Sequence, residues 1–451
     1  MVNRWLQWLL PLLVGLVLVG LDSRFTSPAL LPAALAAGLA MLVLMRRPAW
    51  VLYLMVAAWP LNIVSLPVKG LRMKACQALL LLALAVWSMR AVVRREAVHL
   101  PGVLVPFAAF IAIAAGTAMG GLAWRAPALL SQWIVFWITI LAISNLIDQP
   151  AVLTGAMIAH LASGTANALL GIVQSVTSHA GLQLFELYQV GRAQGLFTEP
   201  DWFGYYLLSV FFPLLALMAA DVWPRRRSWL QAALAVISLA MLLSQVRAAW
   251  VGLGLGLVGF ALWYRAETFA LVKRTWLPLA ATAIMVTALC LADPSIATAV
   301  TGRFDTFADP NETATSYRLF MAETTMAMIW ENPLFGYGLG AWGPLVGLTG
   351  PNAVGTWNMA MSLWFDTGLF GLAAVLWLFI HVWVSALRAA RRTTDPVLGA
   401  VLRGLLLGFV AMIVCNQFSD GSYFDFFWAY IGVITAAMRL AHAPGTPERR
   451  A

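Results

Sequence analysis

Two apolar runs decide the fold: SWLQAALAVISLAMLLS at residues 228–244 and AAWVGLGLGLVGFALWY at residues 248–264. Basic clusters flank the pair, with an arginine triplet at 225–227 and a Lys-Arg pair at 273–274. Because lysine and arginine concentrate on the cytoplasmic side of membrane proteins, both flanks are expected inside. The two runs therefore predict a transmembrane hairpin whose tip, residues 244–247, faces the opposite side.

The whole chain has the composition of a polytopic membrane protein. Of its 451 residues, 62% are hydrophobic and 10% charged, whereas soluble domains average about 45–50% and about 25%. The mean hydropathy is +0.83. These figures exclude a soluble enzyme, a disordered chain, a coiled coil and a nucleic-acid binder. In a membrane protein, the net charge of +9 reflects the excess of basic residues in cytoplasmic loops and their contact with anionic lipid.

Fourteen apolar segments approach the length needed to cross a bilayer. They cover residues 5–21, 27–45, 50–66, 75–92, 102–122, 127–146, 151–177, 202–220, 228–244, 248–264, 275–292, 358–385, 398–415 and 424–441. The runs are continuously apolar, which favours helices over strands in lipid. We therefore expect an all-α polytopic bundle of about 12–14 transmembrane helices, with one large periplasmic loop that contains an interfacial helix.

The basic clusters divide the chain into five regions. These are N-terminal transmembrane helices at 1–180, transmembrane helices with outer arginine segments at 181–292, a large periplasmic loop at 293–357, C-terminal transmembrane helices at 358–441, and a cytoplasmic tail at 442–451. Within the loop, the apolar run 316–330 is too short to span and is expected to lie on the bilayer surface.

Some arginines fall on the outer side, against the usual bias. Arg192, Arg247, Arg303 and Arg318 come from three outer segments in the second half of the chain. Guanidinium binds phosphate oxygens in pairs and stays charged, so these side chains could converge on an anion at the outer surface. The sequence has no C-x-x-C pair and no histidine between residues 180 and 380. Neither a metal site nor a cofactor is therefore predicted.

Four stretches in the second half carry a family resemblance. They are GRAQGLF at 191–197 with EPD at 199–201, SQVR at 244–247, Arg318 with NPLFGYGLG at 332–340, and WN at 357–358 with DTGLFG at 366–371. In this order they resemble the O-antigen ligase and Wzy-type polymerase superfamily of bacterial membrane glycosyltransferases. Residues 1–180 match that superfamily only in hydropathy.

The resemblance implies an enzyme of the bacterial inner membrane with its active site facing the periplasm. The donor would be a glycan on undecaprenyl pyrophosphate. The acceptor would be a sugar hydroxyl, on another lipid-linked repeat in a polymerase or on lipid A core in a ligase. In such enzymes outward arginines hold the pyrophosphate without metal or nucleotide, which here implicates Arg192, Arg247 and Arg318, with Arg303 in reserve. A chain-length regulator is a possible further partner, and the lipid bilayer is the medium.

One position departs from the family pattern. Ligases usually carry His-Asn on the acceptor side, where this chain has Trp357-Asn358. Loss of that histidine favours a polymerase of O-antigen or exopolysaccharide repeats over a ligase, and leaves altered or lost activity open. A carboxylate is then the candidate general base, and Glu199 and Asp420 come first. Alternatively, Glu199 complements a helix dipole, Asp420 belongs to a turn and Asn358 caps a helix.

Other classes of membrane protein remain as alternatives. A lipid-linked oligosaccharide transporter or a flippase would also bind lipid phosphate, and a scaffold could share a large outer loop. Transporters place ionisable groups near the middle of the membrane. In this sequence the predicted helix centres carry almost no charge, while polar residues crowd the outer edge. That distribution favours chemistry on the outer face.

Overall fold

The computed structural model describes residues 47–63, 65–68, 71–119, 125–182, 184–265, 268–306, 309, 312–347 and 356–442. The apolar segments predicted at 5–21 and 27–45 and nearly all of the predicted tail lie outside the described residues.

The described chain is a bundle of helices. In order they are α1 (Pro48–Ala57), α2 (Ala75–Arg94), α3 (Leu104–Met119), α4 (Ala126–Leu146), α5 (Pro150–His179), α6 (Pro200–Ala219), α7 (Arg227–Ser244), α8 (Arg247–Trp263), α9 (Thr268–Ala292), α10 (Pro294–Asp305), α11 (Thr313–Glu331), α12 (Trp342–Leu345), α13 (Met359–Arg392), α14 (Pro396–Cys415) and α15 (Asp425–His442). Within the described ranges, eight of them are long and apolar enough to span a membrane. The predicted all-α polytopic fold is confirmed.

The segment predicted as a helix at 50–66 is only half helical. Helix α1 ends at Ala57, and Pro60 follows in the turn. Proline has no backbone N–H to continue the helical ladder, so the chain leaves the helix there. It then forms an antiparallel hairpin of β1 (Ser65–Val68) and β2 (Leu71–Lys74), an exception to the expectation of helices throughout.

Helix α10 was not predicted, because residues 293–305 are too polar and too short to register as a span. The sequence nevertheless contains the residues that typically begin a helix. Asp293 is the N-cap, and its carboxylate accepts a hydrogen bond from the backbone N–H of Ser295 over 2.9 Å. Pro294 occupies the first helical position, where a missing N–H costs nothing. The large loop therefore holds two substantial helices, α10 and α11.

The centre of the bundle is the contact between α6 and α14. Nearly all of α6 is buried, since it is apolar on every face and neighbours surround it. Glycines allow this close approach. A Cβ atom added at Gly404 of α14 would lie 2.5 Å from the Cα of Pro213 in α6. In α8, Gly252 and Gly256 meet Ala411 and Phe212, while Gly254 faces open space.

A leucine at position 404 should therefore destabilise the bundle. Its side chain has no room between the backbones of α6 and α14, and overpacking of this kind costs about 1–3 kcal/mol or more. We expect Gly404→Leu to lower the apparent Tm of the detergent-purified protein and its folded yield. The matched control is Gly254→Leu, also a helix glycine but with no heavy atom within 4 Å of the added Cβ. Equal Tm values for the two variants would contradict this packing argument.

The connections that follow α5, α7, α9 and α14 meet at one end of the bundle, here called the loop end. Ala193, between α5 and α6, donates its N–H to the carbonyl of Leu243 at the end of α7 over 3.0 Å. Met359 donates its N–H to the carbonyl of Asn416 over 2.9 Å, which joins the start of α13 to the end of α14. The loop end therefore gathers every segment that carries the family motifs.

Candidate functional site

The arginine cluster at the loop end is built around Asp201, in the first turn of α6. One carboxylate oxygen lies 3.0 Å from a terminal nitrogen of Arg192, and the other lies 3.3 Å from a terminal nitrogen of Arg318. Arg192 precedes α6 and Arg318 belongs to α11. Asp201 thus joins three segments and fixes both guanidinium groups, while its own charge complements the dipole of α6.

Arg192 is the most enclosed member of the cluster, with its side chain 9% exposed. Its Nε donates to the carbonyl oxygen of Ser244 over 2.8 Å, and a terminal nitrogen contacts the side chain of Gln189. Burial lowers the pKa of Arg192 and Asp201 opposes that effect, but arginine stays charged because its ordinary pKa is above ~12. All three nitrogens are engaged, so Arg192 chiefly ties its loop to the tip of the α7–α8 hairpin.

A second pair of arginines shares the carboxylate of Glu312. Arg303, near the end of α10, lies 3.2 Å from one oxygen, and Arg247, the first residue of α8, contacts the other. Arg247 also donates to the carbonyl oxygen of Thr306 over 2.6 Å. Burial acts to raise the pKa of Glu312, but hydrogen bonds from Thr315 and Arg247 outweigh it, so its pKa falls below the ordinary value. Glu312 is therefore a charged counterpart of Asp201.

The two pairs form one electrostatic unit. Arg303 and Arg318 both act on Arg192 as like charges. The structure thus brings together all four arginines that were expected from the sequence to converge. Their exposure differs: the side chains of Arg318 and Arg303 are 35% and 27% exposed, compared with 14% for Arg247. Arg318 and Arg303 are therefore the most accessible donors for a ligand.

Glu199 is a half-buried carboxylate beside this unit. It occupies the N-cap of α6, yet its side chain makes no capping hydrogen bond. Burial raises its pKa and the charge of Asp201 raises it further, while Arg192 and Arg318 act in the opposite direction. A carboxyl group with a raised pKa beside fixed cations is suited to proton transfer.

Asp420, the other carboxylate put forward as a base, lies in a different environment. It lines a cavity of about 460 Å³, together with Asp366 and Trp202. One of its oxygens accepts a hydrogen bond from the backbone N–H of Ser422 over 3.0 Å, a local contact typical of a turn. Asp420 and Glu199 therefore belong to neighbouring but distinct parts of the loop end.

Trp357 and Asn358, expected on the acceptor side, take part in local packing and capping. The ring of Trp357 packs against that of Tyr317, with 5.1 Å between centroids. The amide of Asn358 accepts from the N–H of Met361 and donates to the carbonyl of Gln417, both over 2.9 Å. An indole nitrogen is a donor only, so Trp357 has no group that can accept a proton as a histidine does.

The accessible face of Arg318 depends on how α11 is anchored. One face of α11 packs on α12 and α13, and Trp342 of α12 donates to the hydroxyl of Thr325 over 2.8 Å. The opposite face exposes Phe320 and Trp330, which are 61% and 67% exposed. One packed face and one exposed apolar face are typical of a helix that lies on a membrane surface.

The glycine-rich segment after α11 is bound to a break in α13. Gly368 has φ 67° and ψ −174°, a conformation that interrupts the helix. Two carbonyl groups freed by the break, those of Phe365 and Asp366, accept from the N–H groups of Tyr337 and Gly338 over 2.8 and 2.9 Å. The segment therefore completes the hydrogen bonding of a broken helix, as the interior of a membrane bundle requires.

An alanine at position 368 should disrupt the loop end. The φ and ψ of Gly368 are essentially restricted to glycine, at a cost of about 1–3 kcal/mol for other residues. An added Cβ would also lie 2.1 Å from the carbonyl oxygen of Leu334. We expect Gly368→Ala to lower the apparent Tm by several degrees. The matched control is Gly302→Ala, since nothing lies within 4 Å of a Cβ there. A wild-type Tm for Gly368→Ala would refute the proposed constraint.

The acidic partners of the arginines, Asp201 and Glu312, are not among the site residues predicted from the sequence. The available signal was an acidic residue nine positions after Arg192 and another nine positions after Arg303, because a partly buried arginine requires a counter-charge. Among the described residues, no group of three or more histidine, cysteine or acidic side chains is placed to hold a metal ion.

Comparison with known proteins finds one similarity, which lies within the second half of the chain. Residues 232–376 match the family model described as O-antigen ligase. The match includes Arg247, Arg303 and Arg318, whereas Arg192 and Glu199 lie before it. No curated protein matches the chain. The match supports glycan transfer of the O-antigen ligase type by a multi-pass membrane protein. Over residues 232–376, the chain is thus similar to the O-antigen ligase family, in agreement with the resemblance described from its motifs.

Proposed function

We propose that this chain transfers a glycan from an undecaprenyl-pyrophosphate-linked donor to a sugar hydroxyl at the periplasmic face of the bacterial inner membrane. In this proposal it polymerises O-antigen or exopolysaccharide repeats. The observation that carries the proposal is the convergence of four arginines at the loop end, next to a carboxylate with a raised pKa.

The charge of the cluster suits a lipid pyrophosphate. Four arginines face the carboxylates of Glu199, Asp201 and Glu312, which leaves one positive charge. The net positive charge of the cluster increases by one when Glu199 takes up a proton. A pyrophosphate diester carries two negative charges, and its departure as a pyrophosphate monoester adds negative charge. Fixed cations aimed at such developing charge are typically among the largest contributions to catalysis.

Different residues of the cluster carry out different parts of the proposed reaction. The acceptor hydroxyl oxygen attacks the anomeric carbon of the donor sugar and forms the new glycosidic bond. The bond from that carbon to the phosphate oxygen breaks, and its electron pair leaves with the lipid pyrophosphate. Glu199 takes the proton of the attacking hydroxyl as general base, and Arg318 and Arg303 stabilise the leaving phosphates. Arg192 and Arg247 fix the geometry of the segments around them.

The choice of polymerase over ligase rests on Trp357. Its indole cannot accept a proton, and its ring is packed against Tyr317. A ligase that depends on a histidine at this position would therefore lack its base. The alternative, transfer to lipid A core, is favoured by the family description of the matched domain, which is that of an O-antigen ligase. A base supplied by Glu199 would serve either acceptor.

A deletion strain tests the proposal directly. Lipid-linked sugars and surface polysaccharide are extracted from a strain that lacks this protein and compared with those of its parent. A polymerase predicts single repeats accumulating on the lipid carrier and no long polymer. Long polymer on the carrier that is absent from lipid A core would instead identify a ligase. Unchanged pools would contradict glycan transfer and bring forward the transporter and scaffold alternatives.

A further inference from the structure

The connection between α5 and α6 presents a hydrophobic surface at the loop end. Residues 182–190 have the sequence LQLFELYQV, with six hydrophobic side chains and a single charge, that of Glu186. Five of the six hydrophobic side chains are exposed, namely Leu182, Leu184, Phe185, Tyr188 and Val190. Leu184 is 64% exposed and Val190 is 81% exposed. Exposed hydrophobic side chains that cluster in this way mark a surface with a binding partner.

Hydrogen bonds fix this segment in its exposed conformation. At one end, the N–H of Leu182 donates to the carbonyl of Thr177 in α5 over 2.8 Å. Towards the other end, the N–H of Tyr188 donates to the side-chain oxygen of Gln194 over 2.9 Å. The segment is therefore anchored to the bundle while its hydrophobic side chains point away from it.

The packing of α5 against α6 gives the level of this segment along the bundle. The two helices are antiparallel, since α5 ends and α6 begins at the loop end. A Cβ atom added at Gly164 would lie 2.6 Å from the side chain of Val210, and one added at Gly171 would lie 2.8 Å from the ring of Phe203. The step from 164 to 171 on α5 thus matches the step from 210 to 203 on α6.

That register places residues 182–190 at the level of the lipid headgroups. Continued by three residues, it sets Pro200, the start of α6, beside Gln174, five residues before the end of α5 at His179. The 20 residues of α6 rise about 30 Å, which is the thickness of the hydrocarbon core. The last five residues of α5 add about 7 Å, compared with about 5–8 Å for the headgroup layer on each side.

Lipid is the partner that this level and this composition favour. Aromatic side chains such as Tyr188 are enriched where a protein meets the headgroups, and leucine and valine reach the acyl boundary below them. A charged protein surface would need a complementary charge, but Glu186 carries the only charge of the segment. Contact with the leaflet therefore depends on hydrophobic side chains and does not require anionic lipid.

The same segment is joined to the arginine cluster. The side chain of Gln189 contacts a terminal nitrogen of Arg192, and the N–H of Arg192 donates to the carbonyl of Gln189 over 3.3 Å. Arg192 pairs with Asp201, whose other oxygen lies beside Arg318 of α11. Asp201 therefore connects two elements that expose hydrophobic side chains, residues 182–190 and α11.

We propose that residues 182–190 insert their hydrophobic side chains into the lipid leaflet at the loop end, and that this contact holds Arg192 in position through Gln189. The proposal goes beyond glycan transfer and does not depend on it, since it requires only this fold and a bilayer. It assigns a lipid-binding surface outside the spanning helices and makes Gln189 a positioning residue for the cluster.

The accessibility of spin labels measures the insertion. Labels are attached at Leu184→Cys, Val190→Cys or Arg225→Cys in a Cys290→Ser background, because the other two cysteines are buried. In nanodiscs of phosphatidylethanolamine and phosphatidylglycerol, power saturation compares collisions with oxygen, which concentrates in lipid, and with a water-soluble nickel chelate. The oxygen-to-nickel ratio at 184 and 190 should exceed that at 225, an exposed control at the opposite end, about three-fold or more. Equal ratios at the three positions would overturn the proposal and indicate a surface left free for a protein partner.

Hydrogen exchange in the same nanodiscs tests the link to the cluster. The N–H of Ala193, next to Arg192, is hydrogen-bonded to α7 and reports on this part of the chain. Leu184→Asp should lower the oxygen-to-nickel ratio of the Val190→Cys label and speed exchange at Ala193 about five-fold or more, because a charge opposes insertion. Glu186→Gln is the matched control and should change neither value.

The outcomes are independent of the proposed function. A lower ratio in Leu184→Asp with wild-type exchange at Ala193 would overturn the role of lipid contact in positioning Arg192. Both measurements are made without substrate, so unchanged glycan pools in the deletion strain would contradict glycan transfer alone. Size-exclusion profiles that match wild type confirm that each variant is folded.

Discussion

Replacement of Arg318 by alanine should lower the transfer rate about 10²–10³-fold, the usual consequence of removing one fixed donor from a developing negative charge. The effect should appear in kcat, because the charge on the leaving pyrophosphate grows as the glycosidic bond breaks. Folding should be largely retained, since Arg192 still pairs with Asp201 and the Arg318 side chain is one-third exposed. The measurement is product formation by purified protein supplied with a lipid-linked donor.

Three further variants sharpen this prediction. Arg318→Lys should recover only part of the rate, because a lysine cannot bind two phosphate oxygens as a planar fork does. Arg225→Ala, an exposed arginine at the opposite end of the bundle, should leave the rate unchanged. Arg192→Ala should lose both rate and stability, since that guanidinium also binds Ser244. Wild-type rates from the alanine variants of all four clustered arginines would contradict the proposed role of the cluster.

Replacement of Glu199 by glutamine should lower the rate by about 10²–10⁴-fold, the range for loss of a general base. Glutamine keeps the size of the side chain but cannot accept the proton. The dissociation constant of the donor should change little or decrease, because one negative charge beside the arginines is removed. Single-turnover kinetics with a lipid-linked donor separate these two quantities.

The pH profile gives a second test of Glu199. The base acts as a carboxylate, so the rate should fall as the pH drops through its pKa. Burial raises that pKa, and the acidic limb of kcat/KM should therefore lie above about 4.3, the value for an ordinary glutamate. In Glu199→Gln this limb should disappear. Glu323→Gln, at an exposed site on α11, is the matched control and should keep it. If Asp420→Asn abolished the limb and Glu199→Gln did not, Asp420 would be the base.

Most of the bundle could be predicted because the membrane imposes a strong pattern. Long apolar runs flanked by basic residues fixed twelve described helices to within a few residues at most ends. The same pattern did not predict α10, which is polar, or the hairpin after Pro60. Neither element has the long apolar run that marks a membrane span. Gly368 shows a further limit. The apolar run continues through it, so composition gives no sign that α13 is broken there.

The arginines of the candidate site could be predicted because arginines are rare on the outer side of a membrane protein. Arg247 and Arg318 are two such residues, and the structure places them in one cluster. The counter-charges could not be assigned in advance, since pairing Asp201 with Arg318 joins positions 117 residues apart. The cavity could not be predicted either, because its lining comes from six separate segments that meet only in the folded bundle.

The bridge from Asp201 to two arginines has a consequence for turnover. A bare pair of guanidinium groups would hold a lipid pyrophosphate so firmly that release of the spent carrier would limit the rate. With Asp201 already between them, arrival of a phosphate is an exchange of one anion for another, and departure is the reverse exchange. Under the proposed function, the Asp201 carboxylate would therefore compete with the pyrophosphate for the arginines and shorten the time for which the spent carrier stays bound, at the expense of affinity for the incoming glycan.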